Sequence, residues 1–442
     1  MSLALIHSLR SQAQLDERVL VARLHRRAGF GLAPTDLDAA VARGAAVEVE
    51  RLVDADAAGL PATADPWSDL DLTFVKGQVK DKGAVMIDRW LTRMRDSARP
   101  AEDRIAWLWH GILVSAMAKV KVPQLMANQI RLFWRAGLGP YATLIKELTV
   151  DPAMLLYLDG TDSTKAAPNE NYGRELMELF TLGRDGGYTE ADVQAAARAL
   201  TGWHVRRARQ PAAADVAAQF DPKRHDDSAQ TLVGLGGVHD ATTVVAAVTG
   251  HPSCARYVAG RVARAIIGPS VDSAVIDRLA TQFRDAGLDV RTLLRAVLGE
   301  VAAGNDAGPV VLAPVPWLLM AEKALGVTLD QAARLGGLRA AGQIPLDPPN
   351  VGGWPSGPAW FSSAAVVARF NLASTMATMA DAGPSGGGAA VTAARAGDPD
   401  ALARALGLPA TFGSTTSTQL AAVADAPSRL VIAQTSPEFV LA

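Results

Sequence analysis

Apolar residues that return every three or four positions, with hardly a stretch that alternates, constrain this chain to a helical fold. Between Leu15 and Ala28 the positions Leu20, Val21, Leu24 and Ala28 form one apolar stripe, while Arg18, Arg23, Arg26 and Arg27 fall mostly between them. Gly29-Phe30-Gly31 ends that helix. Thr35 ahead of Asp36 and Asp38 has capping-box spacing for a second helix through Leu37, Ala40 and Val41. From Met86 to Ser115, Trp90, Met94, Ile105, Leu108, Trp109 and Ile112 predict a central helix pair. Between Thr143 and Leu158 a helix is interrupted at Asp151-Pro152, where proline suits the first turn of the next one. Thr189 with Asp192 marks another start, leading through Val193–Leu200 to a stop at Gly202. Strand signals are scarce: Pro309-Val310-Val311-Leu312-Ala313 is a candidate shortened by its prolines. The expected fold class is all-α with at most minor strands. Arg206–His225, Ile344–Pro358 and Gly383–Gly388 read as Pro/Gly-rich loops.

Composition narrows the function classes. Hydrophobic residues are 49% and charged residues 20% of the 442, enough for a sizeable core and far from the profile of disorder. The 43 basic and 45 acidic residues leave a formal charge of -2, so no overall field favours nucleic acid or an anionic membrane. The cluster Arg206, Arg207 and Arg209 reads as a solvated loop. Cys254 is the sole cysteine, which excludes an intramolecular disulfide and a thiolate metal cage; its setting predicts a small buried residue near a helix start. Met1–Arg10 lacks the basic start, long apolar core and cleavage site of a secretory signal, and no eighteen consecutive residues are apolar. A cytoplasmic protein without membrane contact is expected.

The richest polar run extends from Asn169 to Gly183. With Asn169 as cap, a helix from Glu170 places Asn171, Arg174, Glu175 and Glu178 on one face and buries Tyr172, Leu176, Leu179 and Phe180 on the other. Two carboxylates three residues apart can bind a metal or divide acid and base roles if a third group approaches from another element. The simpler alternative has Arg174 pairing with both Glu170 and Glu178 at four-residue spacing. His225 beside Asp226 and Asp227 suits a ligand or a carboxylate-held base, or else an exposed Asx-rich turn. His110, on an apolar helix, is expected in the core unless it faces Glu175 or Glu178. Asp347-Pro348-Pro349-Asn350-Val351-Gly352-Gly353-Trp354 makes a rigid turn that either walls a pocket or pins the last helices, with pinning favoured. Walker, dinucleotide, Cys-x-x-Cys, His-Glu-x-x-His and nucleophile-elbow motifs are missing.

These runs resemble the bacterial family called domain of unknown function 1800. The matching pieces are Leu24–Gly31, Trp109-His110, Asn169–Gly183, Gly187-Tyr188-Thr189 through Trp203, His225-Asp226, Pro348–Trp354 and Ser436–Phe439, in order along nearly the whole chain. The resemblance implies one large helical unit over 1–442 in place of the several domains that length suggests, with the polar loop 204–230 and the Gly-rich loop 383–400 as internal insertions. It supplies no substrate or cofactor. Many relatives look exported, unlike this chain as read above. Relatives tend to carry a second His where this chain has Ile112, and a Lys where it has Gln230, which weakens any metal or acid-base role built on those positions.

Two hypotheses follow. In the first, an enzyme, hydrolytic by default and metal-assisted where a divalent ion binds, uses Glu175, Glu178, His225 and Asp226 for catalysis. Its substrate contacts are then Asn169, Glu170, Asn171, Arg174, Trp203 and Trp354, and a divalent metal, if bound, draws on Glu175, Glu178, His225 and His110. In the second, the same run is structural in a non-catalytic binding or assembly protein. The partner in either case is an unidentified small molecule or protein.

Overall fold

The computed structural model describes residues 16–205, 216–383 and 388–442. Short helices joined by turns make up the fold, as the periodicity predicts. The first group is α1 (Glu17–Ala28), α2 (Pro34–Arg43) and α3 (Ala45–Val53). A central group follows: α4 (Val79–Asp96), α5 (Pro100–Ile112), α6 (Met117–Val120), α7 (Pro123–Ala136), α8 (Tyr141–Thr149) and α9 (Pro152–Tyr157). Next come α10 (Glu170–Glu175), running on as a π-helical turn at Leu176–Thr181, and α11 (Glu190–Ala199). Two antiparallel ribbons, β1 (Trp203–Val205) with β2 (Ala218–Phe220) and β3 (Gln230–Leu232) with β4 (Leu235–Val238), are the strands among the described residues. Helices α12 (Ala241–Gly250), α13 (Pro252–Ile266), α14 (Ser273–Asp285) and α15 (Val290–Ala302) lead to α16 (Pro314–Leu325) and α17 (Gln331–Ala340). The last group is α18 (Ser363–Ala382), α19 (Ala389–Ala396), α20 (Pro399–Ala405), α21 (Ser414–Ala422), α22 (Ala426–Thr435) and α23 (Pro437–Val440).

One buried apolar cluster takes in side chains from Val21 to Ala442, so the described chain shares a single core. Its ends are tied by polar groups that the periodicity of α1 assigns to the solvent side. Arg26 and Arg27 are buried. Arg26 donates to the carbonyl oxygens of Phe439 (2.6 Å) and Leu441 (3.2 Å). Arg27 donates to the carbonyls of Ile267 (2.6 Å) and Ala442 (2.7 Å) and to Asp306 (3.1 Å). The Pro309–Ala313 strand candidate reduces to a bridge between Val311 and Leu441, with Val310 and Ala442 exchanging both backbone hydrogen bonds.

Capping explains where most helices begin. Asp151 accepts from the Met154 amide ahead of α9, and Thr189 and Asp192 complete a reciprocal capping box at α11. Thr35 does not cap α2: that helix starts one residue earlier, at Pro34, whose fixed φ and missing N–H suit a first turn, and Ala33 precedes it without a side-chain cap. The segment 383–400 is not one loop, because Ala-rich sequence after Gly388 forms α19 and Pro399 opens α20. Arg206, Arg207, Arg209 and the Met1–Arg10 start lie outside the described residues. No helix among the described residues is long and apolar enough to cross a membrane. Cys254 is buried near the start of α13, and burial pushes its thiol up to about 12.

Asp151 belongs to a buried polar chain in which Gln129 Nε2 donates to it at 2.9 Å and Ser115 hydrogen-bonds Gln129. Burial raises its carboxyl from 3.8 to about 6 against those hydrogen bonds. A raised folded-state value means that its contribution to stability is complete below about 3.8 and is lost as pH rises through about 6. Asp151→Asn keeps a capping oxygen without the charge. Denaturant titrations at pH 4 and pH 7 are expected to show the variant gaining on the wild type by about 2–3 kcal/mol at the higher pH; an equal pH dependence in both proteins would contradict this.

Candidate functional site

Asn169 caps α10 by accepting from the Asn171 amide at 2.9 Å, as its position predicts. Its own amide nitrogen donates to the Asp159 carbonyl, and that of Asn171 donates to the Leu158 carbonyl, so both side chains fasten the turn that follows α9. Tyr172, Leu176 and Phe180 are buried, and the Tyr172 hydroxyl hydrogen-bonds Thr149 at 2.9 Å. The α-helix then widens: the Thr181 hydroxyl and the Leu182 amide both reach carbonyls five residues back, at Leu176 and Met177. Such π turns recur at functional sites, and periodicity alone does not reveal one.

The ion pairs differ from the expected pattern. Arg174 does contact Glu170 (3.2 Å), yet its stronger partner is Glu190 on α11, bound through both terminal nitrogens at 2.9 and 2.5 Å. That pair holds the guanidinium above its ordinary range and the Glu190 carboxyl below its own. Glu178 pairs with Arg184 at 2.7 Å, not with Arg174. Glu175 is half-buried and has no hydrogen bond or ion pair among the described residues; burial first, and the neighbouring Glu178 second, raise its carboxyl. Tyr157 of α9 lies within its field, its hydroxyl raised by burial and then by Asp347 and Glu175. Lys119 sits 5.7 Å from the Tyr157 ring centre and pairs with Asp159 at 2.8 Å. Tyr157 carries no sequence signal for this proximity, because only the tertiary packing brings it into the field of Glu175.

His225 and Asp226 are placed by the turn after α11. The His225 Nδ1–H donates to the Thr201 carbonyl at 2.9 Å, and its ring meets Phe220 edge-on at 5.0 Å. Trp203 packs against the same Phe220 ring at 5.3 Å. Asp226 accepts from the Ser228 hydroxyl and amide, which lower its carboxyl, and its own amide donates to the Thr201 hydroxyl. Gly202 permits the turn: its φ is +95°, and a Cβ there would lie 3.0 Å from both His225 and Phe220. Among the described residues no three His, Cys, Asp or Glu side chains stand together as a metal ion requires.

His110 faces neither Glu175 nor Glu178. It is fully buried among Trp90, Trp107 and Trp354, with ring centres 5.3–6.2 Å away, and burial pushes its imidazole down to about 3. Its Nε2 accepts from the Leu346 amide at 3.1 Å, which occupies the lone pair a metal would need and leaves the proton on Nδ1. Trp354 stacks on Trp107 at 4.9 Å, so its ring face is spent on packing. The Asp347–Trp354 turn is therefore pinned to the central helices. Leu346, at φ +64°, receives the Met117 amide on its carbonyl, and Asp347 receives the Ala118 amide. Ile112 is core, and the Gln230 side chain is bound to Ser228.

Fold and site define a mostly helical protein with a pinned Pro-Pro-Asn turn and a polar helix. The chain belongs to the family described as "Protein of unknown function (DUF1800)", whose family model matches residues 23–441. Comparison with curated proteins and with solved structures returns no match.

The tightest contact of the pinned turn is at Gly353, where φ is +84° and a Cβ would fall 2.1 Å from the Gly111 carbonyl oxygen. Gly353→Ala must shift the turn off α5 and unstack Trp354. Chemical denaturation is expected to show a loss of about 2–4 kcal/mol, with Trp fluorescence changed in the native state; a loss within experimental error would mean the turn is not held there.

Proposed function

We propose that this chain is a binding or assembly protein in which the Asn169–Gly183 run is architectural. The observation that carries the reading is the closure of its polar groups on the chain itself. Arg174 is taken by Glu190 and Glu170, Glu178 by Arg184, and the Asn169 and Asn171 amides by the carbonyls after α9. His225 and Asp226 are likewise engaged with Thr201 and Ser228. A general acid or base has to exchange its proton with substrate, and groups already committed to neighbours are poor candidates. The same closure leaves metal-assisted hydrolysis with little support from the donor set.

Glu175 favours a second reading, an enzyme that uses it as acid or base. It is the carboxylate of the run without a partner among the described residues, its proton is held more tightly than usual, and it lies beside the π turn. The two readings part on Glu175→Gln. Its raised folded-state value implies a contribution to stability that is complete below the ordinary Glu range, about 4.5, and lost as pH rises through the raised value. The architectural reading therefore expects the Gln variant to match or exceed the wild-type melting temperature at neutral pH. It also expects purified wild-type protein to carry no stoichiometric metal and to hydrolyse no ester, phosphoester or peptide probe. A hydrolytic turnover abolished by Glu175→Gln would establish the enzyme instead.

A further inference from the structure

Aromatic residues are 5% of the chain, yet five of its nine tryptophans meet in one unbroken series of ring contacts. Trp354, on the pinned turn, stacks on Trp107 of α5 with ring centres 4.9 Å apart. Trp107 meets Trp90 of α4 at 5.5 Å, and Trp90 meets both Trp67 at 6.1 Å and Trp134 of α7 at 6.4 Å. Trp67 and Trp134 close a triangle at 5.2 Å. Each separation is in the range of touching aromatic rings. The middle of the series is sealed, with Trp67, Trp90 and Trp107 buried, whereas Trp354 and Trp134 are partly exposed. Filling a core requires apolar volume, which Leu or Phe also supplies. Indole adds a property they lack, since it gives up a single electron far more readily.

The indole nitrogens differ along the series. An indole short of one electron is a strong N–H acid, and the vacancy settles where a base takes that proton. The Nε1–H groups of Trp90 and Trp354 are buried without an acceptor among the described residues, and that of Trp67 donates to the Met86 carbonyl at 3.0 Å, a weak base. At Trp134 the neighbour is a carboxylate. Arg93 binds Asp103 at 2.7 Å and lies 3.9 Å from the centre of the Trp134 ring. The Asp103 Oδ2 and the Trp134 Nε1 are both buried, and neither is engaged elsewhere. Burial raises the Asp103 carboxyl, which makes it the better base, while Arg93, Ser97 and Trp134 pull it down.

We propose that this series carries a single electron through the protein, from Trp134 to a one-electron oxidant at the Trp354 turn. The oxidant takes one electron from Trp354, which is refilled from Trp107, and Trp107 in turn from Trp90 and Trp90 from Trp134. The oxidant is reduced by one electron and the chain oxidised by one. The vacancy rests on Trp134 as a neutral indolyl radical, because its Nε1 proton passes to Asp103 Oδ2; the positive charge gained remains on Arg93, whose counter-ion is now neutral. Trp67 is a side branch, since Trp90 reaches Trp134 without it. His110 touches Trp90 and Trp354 but is not a stop, because neutral imidazole holds its electrons more tightly than indole. The activity goes beyond the architectural reading of the polar run and uses none of its residues.

The test uses the full chain with a photo-oxidant fixed near Trp354. Cys254 is buried, so Ser356→Cys, at an exposed position, supplies the thiol for a ruthenium polypyridyl label. Flashes with an external electron acceptor leave the label short of one electron. Oxygen then marks the tryptophan that holds the vacancy, and peptide mass mapping locates it. Oxidation at Trp134 is expected in the labelled chain. Trp90→Phe and, separately, Trp107→Phe keep an aromatic ring but break the series, and each is expected to lose the Trp134 product while Trp354 is still oxidised. Trp67→Phe is a buried change of the same kind on the side branch, and the Trp134 product is expected to persist in it, which separates loss of the path from loss of packing. The inference is overturned by a labelled chain without the Trp134 product, by a product that survives either link substitution, or by its loss in Trp67→Phe.

Discussion

The grip of Arg26 and Arg27 on the far end of the chain is the constraint from which the rest of the fold follows. Burying a guanidinium is costly unless its donors are met; here carbonyl oxygens meet the terminal nitrogens, while the Nε of each arginine is buried without a partner among the described residues. The Arg27 fork spans the C-terminal end of α13, Asp306 and Ala442, while Arg26 takes Phe439 and Leu441. Helix C-termini present unsatisfied carbonyls and a partial negative charge, so a cation there offsets two costs at once. Burial lowers Arg26 to about 10, which still leaves it charged at neutral pH. Segments more than 400 residues apart, α1 and the α23 end, thus share one buried polar joint, and the apolar cluster closes around it.

A second joint of the same kind works inside the core. Glu322 of α16 and Arg334 of α17, both buried, pair through two bonds at 2.6 and 2.8 Å, and Arg334 reaches Asp88 and Thr92 on α4. Bidentate geometry and the additional acceptors compensate what desolvation costs. These joints specify which helices meet. Apolar packing by itself would accept several registers of such short helices.

Local signals were legible in the sequence where a side chain acts on its own backbone. Asn169, Asp151 and the Thr189–Asp192 box mark helix starts because their partners lie two or three residues away. Thr35 failed because Pro34 competes for the first turn. Buried arginines were illegible, since periodicity assigns charge to solvent and the carbonyls that satisfy Arg26 and Arg27 come from distant parts of the chain. The helices α19 and α20 were hidden by the glycines before them. At the candidate site, the Arg174–Glu170 contact was legible at four-residue spacing, whereas Glu190 and Arg184 were not. The π turn adds the reason: it widens the helix just after Glu175 and takes Glu178 out of the register that would have brought it to Arg174.

The Pro-Pro-Asn turn shows how packing and polarity become one constraint. His110 can accept the Leu346 amide only while neutral, and its burial among Trp90, Trp107 and Trp354 keeps it neutral at any ordinary pH. That bond holds Leu346 at positive φ, a conformation costing on the order of 1–3 kcal/mol for a residue with a Cβ. With Leu346 held, Asp347 is delivered to the Ala118 amide and into the field of Tyr157, which Glu175 also raises. The tryptophan cage therefore helps to decide where the Asp347 carboxylate stands. Sequence motifs far apart in the chain, one around His110 and one around Asp347, are joined because the first fixes the backbone that carries the second, and Asp347 and Glu175 then both act on Tyr157.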